Sequence, residues 1–220
     1  MNVRHTGATR EIDGPVGDLE ALLDHPHAEL PSDSENIPRA IVVFAHPHPQ
    51  QGGTMHSKIV YRGAKALSSM GYVVLRFNFR GVGRSEGTFA EGDGELDDYL
   101  AALDYAEKLY PGLPLYAAGY SFGAWIALNA GAADPRVGAL LGIAIPTQRE
   151  MTAVITSEKP KFLIHGERDT LIPVKDMWRF YGKLSEPKEL VVIDAADHLF
   201  DGKTREVGDA IIDLLEDFEL

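Results

Sequence analysis

The chain contains no cysteine among its 220 residues. Disulfide bridges, thiol nucleophiles and iron–sulfur clusters are therefore excluded, and packing must stabilise the fold. Basic residues are scarce as well, with 21 Lys and Arg against 33 Asp and Glu and a formal net charge of −12. Because binding to nucleic acid requires a surplus of cations that displace counterions from phosphates, we expect no nucleic-acid partner.

Long hydrophobic runs are also missing. No window approaches the roughly 18 apolar residues of a membrane span, and residues 1–20 carry charges without the apolar core of a signal peptide. We therefore expect no membrane partner and a cytoplasmic location. The length, with 45% hydrophobic and 25% charged residues, is typical of a globular protein and predicts a single α/β domain over residues 1–220.

From residue 40 onward, short apolar runs alternate with longer amphipathic segments, which predicts a parallel sheet with crossover helices. Continuous apolar runs such as residues 41–44 are typical of strands that are covered on both faces. The predicted strands are Ala40–Ala45, Tyr72–Phe77, Leu113–Ala118, Val137–Ile145, Lys161–His165 and Leu190–Ile193. The predicted helices are Ser57–Met70, Gly94–Leu109, Phe122–Ala133, Val174–Leu184 and Thr204–Phe218.

The amino-terminal region adds two further strands. Ala8–Ile12 and Gly17–Leu23 flank the turn-rich Asp13-Gly14-Pro15-Val16, which predicts an antiparallel hairpin at the edge of the sheet. The Ser-, Asp- and Pro-rich Glu29–Pro38 is predicted to be a surface loop. The result is a mostly parallel, eight-stranded sheet.

Gly119-Tyr120-Ser121-Phe122-Gly123 matches G-x-S-x-G, the nucleophile elbow. The pentapeptide lies between a predicted strand and a predicted helix, which is the setting that the motif requires. Its glycines permit a strained turn that exposes the serine hydroxyl above the sheet. The alternative is that Ser121 merely caps the helix, since serine is a favoured N-cap.

A serine nucleophile requires a histidine base and a carboxylate that orients it. Asp169 and His198 each follow a predicted strand, in the chain order Ser, Asp, His, at the edge where such sheets gather their functional loops. Glu167, Asp194 and Asp197 are competing acids. His198 alone among the histidines follows the candidate acid; the others are His5, His25, His27, His46, His48, His56 and His165.

These motifs together resemble the serine α/β-hydrolase superfamily over nearly the whole chain. Asn78-Phe79-Arg80-Gly81-Val82-Gly83-Arg84-Ser85 is similar to its D-x-R-G-x-G-x-S loop with Asn in place of Asp, and residues 165–173 are similar to its acid loop. The likeness extends to small bacterial hydrolases with a His-Pro-His-Pro run. The resemblance implies an α/β-hydrolase fold with helices on both faces of the sheet, and it assigns Ser121, Asp169 and His198 as nucleophile, acid and base.

The stretch His46-Pro47-His48-Pro49 follows the strand that should neighbour the elbow, where a second oxyanion donor is expected. Proline has no N–H, so we predict that His48 N–H acts together with Phe122 N–H, with Gln50 as a further possibility. The alternative is a zinc site on His46, His48 and His56. That segment contains no nearby Asp or Glu that would complete the ligands of a catalytic zinc ion.

Only residues 147–160 separate two predicted strands at the position where many relatives insert a lid. This length allows one short helix, about Arg149–Ile155, so we expect no large cap domain and a site open to solvent. Side chains predicted to line the substrate site, or else to pack in the core, are Phe200, Trp125, Phe89 and Leu171.

The sequence therefore predicts a serine hydrolase that cleaves short-chain or soluble carboxylic esters through an acyl-enzyme on Ser121. The substrate is a small molecule, and the chemistry requires no metal or organic cofactor. A peptidase or amidase with the same nucleophile, or a non-catalytic binding protein on this scaffold, are the alternatives. Oligomeric state does not follow from the sequence.

Overall fold

The structure of the protein, a computed structural model, describes residues 9–26 and 38–218. Within these ranges the strands are β1 Thr9–Gly14, β2 Gly17–Asp24, β3 Ile41–Ala45, β4 Val73–Phe77, β5 Leu115–Tyr120, β6 Val137–Ile143, β7 Lys161–Gly166 and β8 Lys188–Ile193. The helices are α1 Lys58–Ser69, α2 Asp93–Leu109, α3 Phe122–Ala133, α4 Thr152–Thr156, α5 Val174–Tyr181 and α6 Thr204–Leu215. The loop predicted for Glu29–Pro38 falls almost entirely outside the described residues, as do His5, His27 and the first residue of the predicted hairpin, Ala8.

Each predicted element within the described ranges is present, with shifts of a few residues at its ends. Strand β5 begins at Leu115 and not at Leu113, because Pro114 lacks an N–H for the ladder and offers only its carbonyl, which accepts from Ile41 N–H at 2.9 Å. Helix α5 ends at Tyr181, three residues before the predicted end, with Gly182 as its C-cap. Pro114 and Gly182 thus mark the start of β5 and the end of α5, which the pattern of apolar residues had predicted two residues too early and three residues too late.

The strands form one sheet in the order β1-β2-β4-β3-β5-β6-β7-β8. Strands β1 and β2 pair antiparallel with each other, and β2 pairs antiparallel with β4, whereas the pairs from β4 through β8 are parallel. The predicted eight-stranded, mostly parallel sheet with an amino-terminal hairpin is confirmed. Chain order reverses direction between β3 and β5, and such a switch point opens a crevice beyond the carboxyl ends of the strands.

Two apolar cores cover the two faces of this sheet. Alternate residues of β3 divide between them, so that Ile41 and Val43 lie in one core while Val42 and Phe44 lie in the other. Helices α2, α3 and α5 contribute to the first core, and α1 and α6 contribute to the second. The continuous apolar run of β3 follows directly from this double covering. The sheet therefore presents a rigid edge at which loops after β3, β5, β7 and β8 meet.

Candidate active site

The turn between β5 and α3 holds Ser121 in a strained backbone conformation. Its φ of 53° and ψ of −119° lie in a region that residues with a Cβ rarely adopt. A Cβ atom on Gly119 would lie 2.2 Å from the carbonyl oxygen of Gly123, and one on Gly123 would lie 2.3 Å from that of His46. Both flanking positions therefore require glycine, because backbone atoms crowd the turn on either side. The side chain of Ser121 makes no capping hydrogen bond to α3.

The three residues predicted as nucleophile, base and acid lie in one hydrogen-bonded chain. Ser121 Oγ is 2.9 Å from His198 Nε2, and His198 Nδ1 is 2.7 Å from Asp169 Oδ2. Asp169 Oδ1 accepts hydrogen bonds from the N–H groups of Leu171 at 2.9 Å and Ile172 at 2.8 Å. The carboxylate is buried and fully partnered, so it accepts from the Nδ1–H of His198 and leaves Nε2 as an acceptor toward the serine.

The charge on Asp169 is stabilised by its partners. Burial alone would raise the pKa of this carboxyl, but the hydrogen bonds from His198 and from Ile172 N–H outweigh burial and hold its pKa below the usual value. His165 lies 3.8 Å away and donates from Nε2 to the carbonyl of Ile172 at 2.8 Å. Burial lowers the pKa of His165, so its imidazole is neutral near neutral pH. The histidine that is hydrogen-bonded to the Asp169 carboxylate is His198.

The competing acids are engaged elsewhere or exposed. Glu167 accepts from Ala195 N–H at 3.0 Å, and Asp197 accepts from Asp201 N–H at 3.1 Å. Asp194 is exposed to solvent. These contacts distinguish Asp169, the acid that the resemblance of residues 165–173 implies, from the three competing acids.

Tyr120 is a site residue that the sequence did not single out. Its hydroxyl donates to the carbonyl of His198 at 2.7 Å, and the two rings lie 5.9 Å apart between centroids. The residue occupies a variable position of G-x-S-x-G, so nothing in the motif signals its role. Tyr120 fixes the loop that carries His198 relative to the elbow.

Two backbone N–H groups near Ser121 have no acceptor among the described residues, those of His48 and Phe122. Gln50, the other predicted donor, donates its N–H to His48 Nδ1 at 3.2 Å and is already satisfied. Phe122 is the first residue of α3, where N–H groups point out of the helix along the positive end of its dipole. The geometry thus favours His48 over Gln50 as the partner of Phe122.

The histidines of this loop do not form a metal cluster in the described part of the chain. His46 is buried, with Nδ1 2.6 Å from the carbonyl oxygen of Pro47 and Nε2 accepting from Phe79 N–H at 3.1 Å. Both ring nitrogens are therefore occupied by backbone. Burial lowers the pKa of His46 to about 4, and it also lowers that of His48, with a further contribution from the nearby charge of Arg149.

A cavity of about 300 Å³ opens directly over Ser121 and His198. Leu171, one of the side chains proposed for substrate binding, lines it, and the exposed Leu199 forms a second apolar edge. Other lining residues are Pro47, His48, Gln51, Gly52, Gly53, Ser57, Lys58, Ile59, Tyr120 and Asp201. A larger cavity, of about 550 Å³, lies between the loop after β6 and α5; it shares Leu171 with the first but contains none of the three predicted catalytic residues.

The other side chains predicted to line the substrate site lie elsewhere. Phe200 is completely buried, in the core between the sheet and α6, which corrects the expectation that it lines the cavity. Its backbone has a positive φ of 54°. Phe89 and Trp125 are half-buried and pack against Phe122, with ring centroids 5.9 and 5.6 Å apart. Phe89 also packs against His48, with ring centroids 5.0 Å apart, so both aromatic side chains support the residues around the elbow without lining the cavity.

The segment between β6 and β7 contains only the five-residue helix α4. Its first part packs on α3, where the carbonyl of Glu150 accepts from Trp125 Nε1 at 3.0 Å and the Arg149 guanidinium lies 4.7 Å from the centre of the Trp125 indole. Among the described residues, this short segment forms no cap over the cavity, as expected. No described helix combines the length and the apolar character that crossing a membrane would require.

Comparisons with known proteins agree with this architecture. Residues 36–145 match the model of the family described as serine aminopeptidase, S33. The chain is 35% identical over 214 residues to the uncharacterized protein RP471 of Rickettsia prowazekii, covering 93% of this chain and 87% of that protein. An α/β serine hydrolase homologue from Coxiella burnetii superposes with a TM-score of 0.86 at 33% identity, over 97% of this chain and all of that one.

A second solved structure is XC6422 of Xanthomonas campestris, a member of the α/β serine hydrolases without a lid. It superposes with a TM-score of 0.87 at 31% identity, over 98% of this chain and 96% of that one. The two superpositions cover nearly the whole chain, whereas the family model covers residues 36–145. The chain therefore belongs to the serine aminopeptidase S33 family of α/β serine hydrolases and has the lidless form of their fold.

Proposed function

We propose that the protein hydrolyses small carboxylic esters through an acyl-enzyme on Ser121. The observation that carries this proposal is the continuous chain of contacts from Ser121 Oγ through His198 to the buried carboxylate of Asp169. In this geometry His198 Nε2 accepts the hydroxyl proton as Oγ attacks the ester carbonyl. The N–H groups of His48 and Phe122 stabilise the negative oxygen of the tetrahedral intermediate.

The intermediate collapses when the protonated His198 gives its proton to the departing alcohol, which leaves the acyl group on Ser121. A water molecule, deprotonated by the same imidazole, then attacks the acyl carbon. The bond to Ser121 Oγ breaks, Oγ takes the proton from His198, and the carboxylic acid departs. Asp169 holds the imidazole in the Nδ1–H tautomer throughout and stabilises its positive charge. The open rim allows water to reach the acyl-enzyme.

The size of the cavity supports a small acyl group. About 300 Å³ lies at the lower end of the range of ligand cavities, roughly 300–1,000 Å³. Apolar contacts come chiefly from Leu171 and Leu199, which are exposed at the rim and cannot enclose a long chain. Acetyl and butyryl esters should therefore be cleaved faster than octanoyl or longer esters.

An aminopeptidase, the activity in the family's name, would need a carboxylate to hold the ammonium group of its substrate. Among the described residues that line the cavity, Asp201 is the only carboxylate, and its Oδ1 lies 3.7 Å from Lys58 Nζ. Both side chains of this pair are largely exposed, so the carboxylate lies in solvent at the rim and would hold a substrate ammonium only weakly. This lining favours neutral esters over amino-terminal peptides.

The test compares wild type with Ser121→Ala on p-nitrophenyl acetate, butyrate and octanoate and on an alanine p-nitroanilide. Ser69→Ala is the matched control, because the Ser69 hydroxyl donates to Ala66 carbonyl at the end of α1, away from the site. We expect ester hydrolysis and fluorophosphonate labelling in wild type and Ser69→Ala, and neither in Ser121→Ala. Faster cleavage of the anilide than of the acetate would assign the protein to the peptidases, and wild type that is neither active nor labelled would reject the proposal.

A further inference from the structure

His46 is the buried histidine of the His-Pro-His-Pro loop, and the chemistry of the proposed ester hydrolysis does not use it directly. Its side chain has no exposed surface and no ionised partner within hydrogen-bond distance among the described residues. Nε2 accepts from Phe79 N–H, which belongs to the loop after β4, and the two rings pack edge to face at 4.9 Å. Because Nε2 is an acceptor and the ring is neutral, the proton must be on Nδ1.

That proton has a single destination. His46 Nδ1 lies 2.6 Å from the carbonyl oxygen of Pro47, so the ring donates to the Pro47–His48 peptide. The Pro47 carbonyl and the His48 N–H belong to the same planar, trans peptide group, in which the two bonds point in opposite directions. Drawing the Pro47 oxygen inward to the buried ring therefore turns the His48 N–H outward.

Pro47 and His48 both line the cavity that contains Ser121, and the His48 N–H has no acceptor among the described residues. This donor is therefore available to an oxyanion that forms in the cavity. The next carbonyl is held from within the loop as well, since the His48 oxygen accepts from Gln51 N–H at 3.0 Å and from Gly53 N–H at 3.1 Å. Rotation of the Pro47–His48 peptide would break its hydrogen bond to His46. The two hydrogen bonds that the His48 oxygen accepts also oppose such a rotation, because they hold the adjoining peptide in place.

We propose that His46 is a positioning residue that fixes the direction of the His48 N–H, and thereby one of the two donors of the oxyanion hole. The role depends on the Nδ1–H bond to Pro47, whereas the Nε2 bond to Phe79 sets the tautomer and attaches the loop to its neighbour. The inference rests on the proposed function, because it concerns stabilisation of the oxyanion formed on a Ser121 adduct. A neutral ring is required, and burial keeps the pKa of His46 at about 4, well below neutral pH.

Two substitutions separate the two ring nitrogens. His46→Asn keeps an amide donor near the position of Nδ1, and His46→Gln keeps an amide oxygen near the position of Nε2. Each variant loses one of the two hydrogen bonds and some ring volume, so their losses in stability should be similar. Lys161→Gln is a destabilised control: Lys161 lies at the amino end of β7, where its buried ammonium donates to the carbonyls of Ser157, Lys159 and Ser185.

The variants are measured with p-nitrophenyl acetate, well below their melting temperatures. We expect kcat of His46→Gln to fall about 10- to 100-fold with KM within about twofold, because the oxyanion donor is misdirected only in the transition state. His46→Asn should lose no more than about threefold, and Lys161→Gln should keep wild-type kcat despite its lower melting temperature. Equal losses of kcat in both His46 variants, or losses that follow melting temperature in all three, would overturn the positioning role.

A measurement on the wild type keeps the proposal testable if a variant fails to fold. Long-range ¹H–¹⁵N correlation spectra at neutral pH should show His46 protonated on Nδ1 and unprotonated on Nε2, and the opposite tautomer would overturn the role. The two proposals fail in different ways. Wild type without esterase activity or fluorophosphonate labelling rejects the proposed function and the positioning role together, whereas an active wild type with equally impaired Asn and Gln variants rejects only the positioning role.

Discussion

Replacing Asp169 by asparagine should nearly abolish esterase activity without unfolding the protein, because the structure decides which way the new amide will face. Asp169 Oδ1 accepts two backbone hydrogen bonds, from Leu171 and Ile172 N–H, and Oδ2 accepts one from His198. An asparagine can satisfy the two backbone donors only by placing its oxygen at the Oδ1 position. Its NH₂ group then faces His198 Nδ1.

In that orientation His198 must accept at Nδ1 and carry its proton on Nε2. The imidazole then donates to Ser121 and can no longer remove its proton. We expect kcat to fall by a factor on the order of 10³–10⁴, as for the loss of the correct tautomer in such triads. At about 1.36 kcal/mol for each tenfold change, this corresponds to about 4–5.5 kcal/mol in the barrier.

The assay is steady-state hydrolysis of p-nitrophenyl acetate, with circular dichroism to verify folding. Glu167→Gln is the matched control from the same loop, since its side chain contacts only Ala195 N–H and not the imidazole. It should stay within about threefold of wild type. Folded Asp169→Asn that retains more than a tenth of wild-type kcat would refute the assignment of Asp169 as the residue that orients His198.

Three further predictions concern stability. Gly123→Ala should lower both activity and melting temperature, because its Cβ would lie 2.3 Å from the His46 carbonyl oxygen, and an unchanged melting curve would contradict this crowding. Folding lowers the pKa of His46 from 6.5 to about 4, so the unfolded chain binds more protons than the folded protein between these pH values. The free energy of unfolding should therefore decrease as pH falls through this window, with about 3 kcal/mol of the decrease coming from this group. Urea titrations at several pH values should show a smaller decrease in His46→Asn. Arg80→Met removes the guanidinium that lies 2.7 Å from the buried Asp98 carboxylate, and it should lower the free energy of unfolding in urea by about 3–5 kcal/mol. Adding Asp98→Asn should recover part of this loss of stability. No recovery would argue against an uncompensated buried charge as its cause.

The amino-acid sequence was sufficient to predict the elements of the sheet and the nucleophile turn, because the signals involved are local. Continuous apolar runs mark strands that are covered on both faces, and the bounds predicted for the helix after Ser121 agree with α3 at both ends. The glycines of the elbow follow from steric requirements within five residues. The order Ser, Asp, His could likewise be read from the chain, although it left four acids to choose from.

Tertiary structure alone decided which groups touch. Asp169 and His198 are 29 positions apart, and Glu167, two residues before Asp169, contacts Ala195 N–H and not the imidazole. Phe200 was predicted to line the site but lies in the core, where it packs with residues of α6. The pairing of His46 with a backbone N–H after β4 depends on β3 and β4 being neighbours in the sheet. The spacing of apolar residues along the sequence shows which positions of a strand or helix face a core. The direction of an individual loop side chain and the order of the strands depend on contacts between segments that are distant in sequence.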